Sequence, residues 1–274
     1  MPENTVKQRV TALPKSNAKE DRHFVTALAR GLEVLACFRS GERSLGNQEL
    51  ADRSKLPKST VSRLTYTLTK LGYLQYDDAA GKYRLGTATM ALGGAMLSKL
   101  DIRQMARPYM QELADLSHTM VSMGMRDRLS MIYVENCRSQ AALTLRLDVG
   151  ARIPVASTAM GRAYLAEISS NERNDILERV RDLDELAWPT LRDRVMRAVD
   201  EYRTLGCCTS FGDWQPDVNA IAIAFRPSEN AAPLSINCGG PAFNLSPEFL
   251  LEEVRPRLIE LVSQLRRPSI GHFG

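Results

Sequence analysis

The sequence predicts an α+β protein in two parts: a small helical unit closed by a β-hairpin, then an antiparallel sheet flanked by helices. Three observations carry this. Three short stretches of helical periodicity follow one another ahead of Gly72, and two short strand-like stretches come directly after them. From Thr119 onward, apolar strand runs alternate irregularly with helical ones, the pattern of a mixed domain and not of a regular βα repeat. Charge divides in the same place: residues 1–100 hold 16 Lys or Arg against 9 Asp or Glu, the remainder 20 against 23.

The whole chain has 274 residues, enough for two domains of ordinary size, with 44% hydrophobic and 25% charged residues as in a water-soluble protein with a sizeable core. No apolar run approaches the roughly 18 residues of a membrane span. Residues 1–22 are polar, without the apolar segment of a secretory signal, and are expected to form a disordered arm. The five cysteines, Cys37, Cys137, Cys207, Cys208 and Cys238, show no metal-knuckle spacing, and the three histidines are scattered. Neither a metal nor a cofactor is expected, and an odd cysteine count without an export signal fits a reducing cytoplasm. Vicinal Cys207 and Cys208 read as strand residues or as an oxidant sensor.

In chain order, a first helix is expected over residues 24–39 with Leu28, Leu32, Leu35 and Ala36 inward, stopped by Gly41. Asn47 reads as the N-cap of a second, with Glu49 in its first turn and Leu50 and Ala51 inward. Lys55, Leu56 and Pro57 make a short break. The third helix lies in "LPKSTVSRLTYTLTKLGYL", where Val61, Leu64, Leu68 and Leu71 form the inner stripe before Gly72. Three helices with a three- to four-residue turn before the last are a helix-turn-helix. "YLQYDDAAGKYRLG" then supplies two strands about a turn, completing a winged helix over residues 23–86.

Residues 87–100 read as an apolar linker helix capped by Thr87. Met90, Leu92, Met96, Leu97 and Leu100 need a partner, which a second copy of the helix would supply. Asp101 caps a longer helix over 102–118 with Met105, Tyr109, Leu113 and Leu116 inward. A hairpin turning at Asp127-Arg128 and a strand "AALTLRL" follow. Helices are expected at 158–168, 171–180 and 191–205, the last closed by Gly206, and strands at 207–210, 220–225 and 233–238. Ser246 caps a final helix with Pro247 in its first turn, and Pro256 is a candidate kink.

The outer face of the third helix carries Lys58, Ser59, Thr60, Ser62, Arg63, Tyr66 and Thr67. A solvated helix face would look similar in isolation, but the short turn, the hairpin and the local positive charge agree on another reading. A duplex offers phosphates and, in its major groove, base edges that one helix can reach. Short hydroxyl side chains permit close approach, and the helix N-terminus can donate to a phosphate. Arg63 can grip a guanine edge, while Lys82 and Arg84 in the wing follow the adjacent backbone.

These segments, with "ARPYMQELA", "GARIPVASTAMGRAYLA" and "VDEYRTLG" ahead of "AIAIAF", closely resemble the IclR family of bacterial transcriptional regulators over roughly residues 24–267. The resemblance implies an N-terminal winged helix-turn-helix, a C-terminal GAF-like effector-binding domain over 101–274, and dimers that often pair into tetramers. It also implies promoter DNA as one partner and a small organic or aromatic acid as another. Effector contacts carried over by position are Leu145, Ile153, Ala159, Met160, Asp213, Val218, Ala220, Ser235 and Asn237. Of these, Leu145, Ile153, Met160 and Val218 would form apolar walls. Ser235, Asn237 and the backbone at Ala159 and Met160 would hold a carboxylate or carbonyl. Without the resemblance, the Thr158–Gly161 turn reads as an ordinary capped helix with Gly161 for close packing. "SFGDWQPDVNAIAIAF" departs from the family pattern in placing Trp214, Gln215 and Pro216 before the strand, which unsettles the role of Asp213 and makes Trp214 either an aromatic wall or plain core. The competing classes are a small-molecule enzyme with a winged-helix appendage, for which no nucleophile elbow, phosphate loop or metal cluster is present, and an RNA-binding or scaffolding winged helix.

Overall fold

The structure is a computed structural model and describes residues 23–39, 41–140 and 147–266. The expected arm (1–22), most of the strand "AALTLRL" and the candidate contact Leu145 lie outside the described residues. The chain divides into two compact units, residues 1–100 and 101–274.

The first unit runs α1 (Thr26–Ala36), β1 (Leu45–Gly46), α2 (Asn47–Ser54), α3 (Lys58–Lys70), β2 (Leu74–Asp77), β3 (Lys82–Leu85) and α4 (Thr87–Leu97). Its three-stranded sheet has the order β1-β3-β2. Val34, Cys37, Leu45, Leu50, Ala51, Val61 and Leu74 form the core. Expected helix faces need two corrections. On α1 the buried residues are Gly31 and Val34, while Leu28 and Leu32 are 62% and 55% exposed. At the end of α3, Leu71 is 61% exposed and Thr65 is buried in its stead, donating its hydroxyl to the Val61 carbonyl at 3.0 Å. Leu71 lies past the last helical turn, where Gly72 takes φ +77° and swings the chain into β2.

Asn47 is not the cap of α2. Gly46 is, its N–H donating to the Glu49 carboxylate at 2.9 Å, so a carboxylate stabilises the helix start from inside the first turn. Lys55 closes α2 in the left-handed region at φ 59°, and Pro57 precedes α3. The wing turn is held by Asp77, whose carboxylate accepts from the N–H groups of Ala79 and Ala80, both at 3.1 Å. Gly86, not Thr87, precedes α4. No residue of α4 is buried within its unit.

The second unit is a six-stranded antiparallel sheet of order β6-β5-β4-β9-β8-β7. Its strands are β4 (Met120–Asp127), β5 (Ser130–Arg138), β6 (Arg152–Pro154), β7 (Cys208–Phe211), β8 (Val218–Phe225) and β9 (Leu234–Pro241). Its helices are α5 (Asp101–Ser117), α6 (Ala159–Glu167), α7 (Ser170–Arg181), α8 (Trp188–Leu205), the single turn α9 (Pro247–Phe249) and α10 (Arg255–Arg266). A π-helical turn, Leu250–Val254, joins α9 to α10. It lies just ahead of Pro256, whose ring nitrogen has no hydrogen to offer the preceding turn.

Expected caps at Thr158, Ser246 and Gly206 are present: Thr158 accepts from Gly161 N–H, Ser246 from Phe249 N–H, and Gly206 takes φ 70°. The inner face of α5 is rotated by about one residue from expectation. Ile102, Ala106, Met110, Leu113 and Ala114 are buried, while Met105, Tyr109 and Leu116 are exposed. Tyr109 and Leu116 instead edge a groove of about 250 Å³ that Arg257 and Leu261 of α10 share. Helix α6 packs against β8 and β9 on one face of the sheet, and α5 against β4 and β5 on the other.

Gly161 lets α6 start against its own entry loop: an added Cβ would stand 2.0 Å from the Val155 carbonyl oxygen. Backbone cannot yield there as a side chain could. Gly161→Ala is expected to cost about 2 kcal/mol or more and to lower the melting temperature by roughly 4–8 °C, read by calorimetry.

Candidate functional site

On the first unit, Lys58, Ser59, Ser62, Arg63, Tyr66 and Thr67 are exposed along α3, and Thr60 is half-buried. The core takes Val61 and Thr65 from the opposite side, so the polar face is what the packing leaves outward. Among the described residues neither Lys58 nor Arg63 enters an ion pair. Both cations are therefore available to an anion. Pro57 precedes the helix, leaving the N–H groups of its first turn without helical acceptors.

Other members of the expected set are already engaged. Asn47 donates to the Ser62 hydroxyl at 2.8 Å, fixing that side chain from α2. Lys82 lies 3.5 Å from the Glu49 carboxylate, and Arg84 donates through Nε to Gln75 at 3.2 Å. Thr67 spends its hydroxyl on the Arg63 carbonyl at 3.0 Å. Lys70 sits 5.5 Å over the Tyr66 ring, a cation–π contact that holds the ring outward. Sequence reasoning read Asn47 only as a cap and so missed its hold on Ser62.

In the second unit a cavity opens between α6 and the sheet. Six of the nine residues expected at an effector site line it: Ile153, Ala159, Met160, Val218, Ala220 and Asn237. Six others also line it: Met120, Tyr133, Thr158, Ser210, Trp214 and Gly239. Trp214 is thus a wall of the cavity. Ser235 is fully buried but does not line it, and neither does Asp213. As it stands the cavity encloses about 20 Å³, room for about one water.

The lining contains no charged side chain. Tyr133 stands against Asn237 and Ser122, and burial pushes its phenol far above the ordinary range, so it is neutral. Thr158 is saturated, accepting from Gly161 N–H and donating to the Pro154 carbonyl at 2.7 Å. Ser210 donates to the Ser157 carbonyl at 3.1 Å. Asn237 differs: its Oδ1 is buried with no hydrogen-bond partner among the described residues. Ala159 and Met160, in the first turn of α6, line the same space. A ligand here meets apolar walls, one unmatched amide and a helix N-terminus.

Asp213 has another employment. Its carboxylate binds Arg162 at 2.6 Å and Arg194 at 3.1 Å. Arg162 is 2% exposed and also donates to the carbonyls of Ala156 and Thr209. The expected contact with a ligand is replaced by a structural one, anchoring the loop that carries Trp214. All five cysteines are buried and free. Burial raises the thiols of Cys37, Cys137 and Cys207 to about 11 and that of Cys238 to about 12, which removes the thiolate an oxidant sensor needs.

Residues 94–267 match the model of the bacterial transcriptional regulator IclR C-terminal domain, and residues 27–78 that of the IclR helix-turn-helix domain. The chain belongs to the IclR family. A curated member, the HTH-type transcriptional regulator TsaQ1/TsaQ2 of Comamonas testosteroni, is 36% identical over 245 residues, covering 89% of this chain and 88% of the relative. The crystal structure of an IclR family regulator from Brucella abortus is 45% identical with a TM-score of 0.79, covering 93% of this chain and 97% of that one. An IclR homologue from Microbacterium hydrocarbonoxydans, solved with 4-hydroxybenzoate, shares the fold at 22% identity and a TM-score of 0.69, covering 88% and 97%. As an IclR regulator, the chain is a DNA-binding transcriptional regulator. Among the described residues no helix is long and apolar enough to cross a membrane.

Asp213→Ala leaves Arg162 buried without its counter-charge and is expected to cost about 3 kcal/mol in urea unfolding. Arg194→Ala, removing a half-exposed partner of the same carboxylate, should cost less than about 1 kcal/mol.

Proposed function

We propose that α3 enters the major groove of promoter DNA and that the α6 cavity takes a small organic or aromatic acid which alters the grip. The observation that carries the first half is the pair of uncommitted cations, Lys58 and Arg63, on an exposed hydroxyl-rich face whose Ser62 is fixed by Asn47. Arg63 reads a base edge; Lys58, Ser59, Thr60 and the first-turn N–H groups meet phosphates; Tyr66 and Thr67 reach one turn further. Lys82 and Arg84 follow the flanking backbone, Lys82 by exchanging the Glu49 carboxylate for a phosphate. A symmetric pair of chains sets two such helices about one DNA turn, roughly 34 Å, apart. The surface for pairing is α4, apolar but for Thr87 and Thr89 and unburied in its own unit. Two such pairs can join as a tetramer. The protein works in the cytoplasm and acts by binding, without turnover of its ligand.

For the second half, the first-turn N–H groups at Ala159 and Met160 hold the acid group. Ile153, Met160, Val218 and Trp214 cover its apolar body. No basic side chain lines the cavity, so the anion is held by dipoles and not by a counter-charge. The relative solved with 4-hydroxybenzoate supports an acid of this class. Because the enclosed space is about 20 Å³, the acid enters only as the walls move back.

Arg63→Ala is expected to weaken binding to a duplex selected from a random library by about tenfold or more, with unchanged melting temperature and molecular mass. Lys58→Ala should weaken all sequences alike and lower the slope of log affinity against log salt by about one. In a thermal-shift screen of small carboxylic acids, a binder at 100 times its dissociation constant stabilises by about 2.7 kcal/mol, and Met160→Trp should abolish the shift.

A further inference from the structure

Strand β5 does something an unbroken strand cannot. Tyr133 pairs with Gly124 and Glu135 with Met123, so two consecutive residues of β4 face residues two apart on β5, and Val134 is the extra one. In a regular strand, residues two apart share a face. The bulge at Val134 cancels that rule. Tyr133 therefore turns toward α6 and lines the cavity, while Glu135 turns toward α5 on the far side of the sheet.

There Glu135 is seized by two cations. Its side chain is 8% exposed, and Arg103 and Arg107 of α5 approach its two oxygens at 3.0 and 2.7 Å. Its Oε1 also accepts from Asn136 N–H at 3.1 Å. One turn beyond Arg107, Gln111 donates to the Arg138 carbonyl at 2.9 Å. Residues 103, 107 and 111 thus lace one stripe of α5 along β5. A buried carboxylate cannot part from its cations without a large desolvation penalty, so displacement of Glu135 carries the first half of α5 with it. Helix α5 begins at Asp101, and α4 ends at Leu97. Three residues of chain, 98–100, separate the two helices.

We propose that Glu135 is the positioning residue that converts pressure on Tyr133 in the cavity into displacement of α5, with the Val134 bulge as the pivot. The inference rests on the reading of the cavity as the effector site and adds the route by which its occupation is felt. An acid larger than a water must push the cavity wall back, and at the bulge the ladder between β4 and β5 is interrupted. A structural role alone would have Glu135 merely hold α5 in place, indifferent to the cavity.

The two roles separate in a double-mutant cycle on the full chain. Tyr133→Trp overfills the cavity and imitates an occupant without any ligand. Amide hydrogen exchange is read in α5, together with affinity for the library-selected duplex. Tyr133→Trp is expected to change α5 exchange and duplex affinity by about fivefold or more. In a Glu135→Gln background the same substitution should change each by less than about twofold, with duplex binding retained. Equal changes in both backgrounds overturn the proposal, as does an unchanged α5 in Tyr133→Trp. Should that variant fail to fold, Ile153→Trp fills the same cavity from β6 and carries the same comparison. The exchange readout needs neither a ligand nor DNA, so a failed acid screen counts against the cavity reading while leaving this result to stand on its own.

Discussion

The second unit depends on one buried guanidinium. Arg162 reaches the Ala156 carbonyl before α6, the Thr209 carbonyl on β7 and the Asp213 carboxylate in the loop before β8. The entry to α6 and the stretch from β7 into the following loop, about fifty residues on, meet on a single side chain. A lysine could not serve, since its one nitrogen lacks the planar fork that reaches several acceptors at once. The buried charge is offset by the Asp213 carboxylate and two carbonyls, and these contacts hold the loop bearing Trp214 to α6. Charge is concentrated behind the wall, and the cavity itself stays neutral.

The first unit solves a different problem with equally few contacts. Its core is small, with seven buried hydrophobic residues among those described; α3 contributes Val61, the buried Thr65, and Leu64 and Leu68 packed partly against it. A threonine inside a core is tolerable because its hydroxyl is satisfied by the helix's own carbonyls. Val61, Leu64, Thr65 and Leu68 share one stripe, and the opposite face of α3 is left outward. The wing is attached by the pairing of β3 with β1, to which Lys82 adds a surface contact with Glu49, while the same Glu49 carboxylate caps α2 through Gly46. The helix that supports the recognition helix and the hairpin that flanks it therefore share one carboxylate.

Much of this was legible in the sequence. Local signals survived: Ser246 and Thr158 cap the helices they precede, Gly206 ends α8, and the Asp77-to-Gly81 run makes the wing turn. Helix phase survived less well. On α1 and α5 the sequence offers leucines, methionines and a tyrosine on two adjacent stripes, and only tertiary packing chooses the one bearing Gly31, Val34, Ala106 and Ala114. Small residues win because the sheet and α3 come close. Of the cavity residues, those beside the α6 turn were legible through family resemblance. Tyr133 was not, because its orientation comes from a bulge that no periodicity announces. The pairing of Asp213 with Arg162 was not legible, because in sequence a carboxylate looks the same whether it faces a cavity or a buried arginine.

The buried thiols make oxidation a matter of folding. Each cysteine is sheltered and held protonated by its surroundings, so a peroxide or alkylating agent must wait until the chain opens locally or wholly. Cys37 sits in the first unit and the other four in the second. Chemical damage in a stored sample would therefore accumulate as a record of how often each unit comes apart, kept separately for the two.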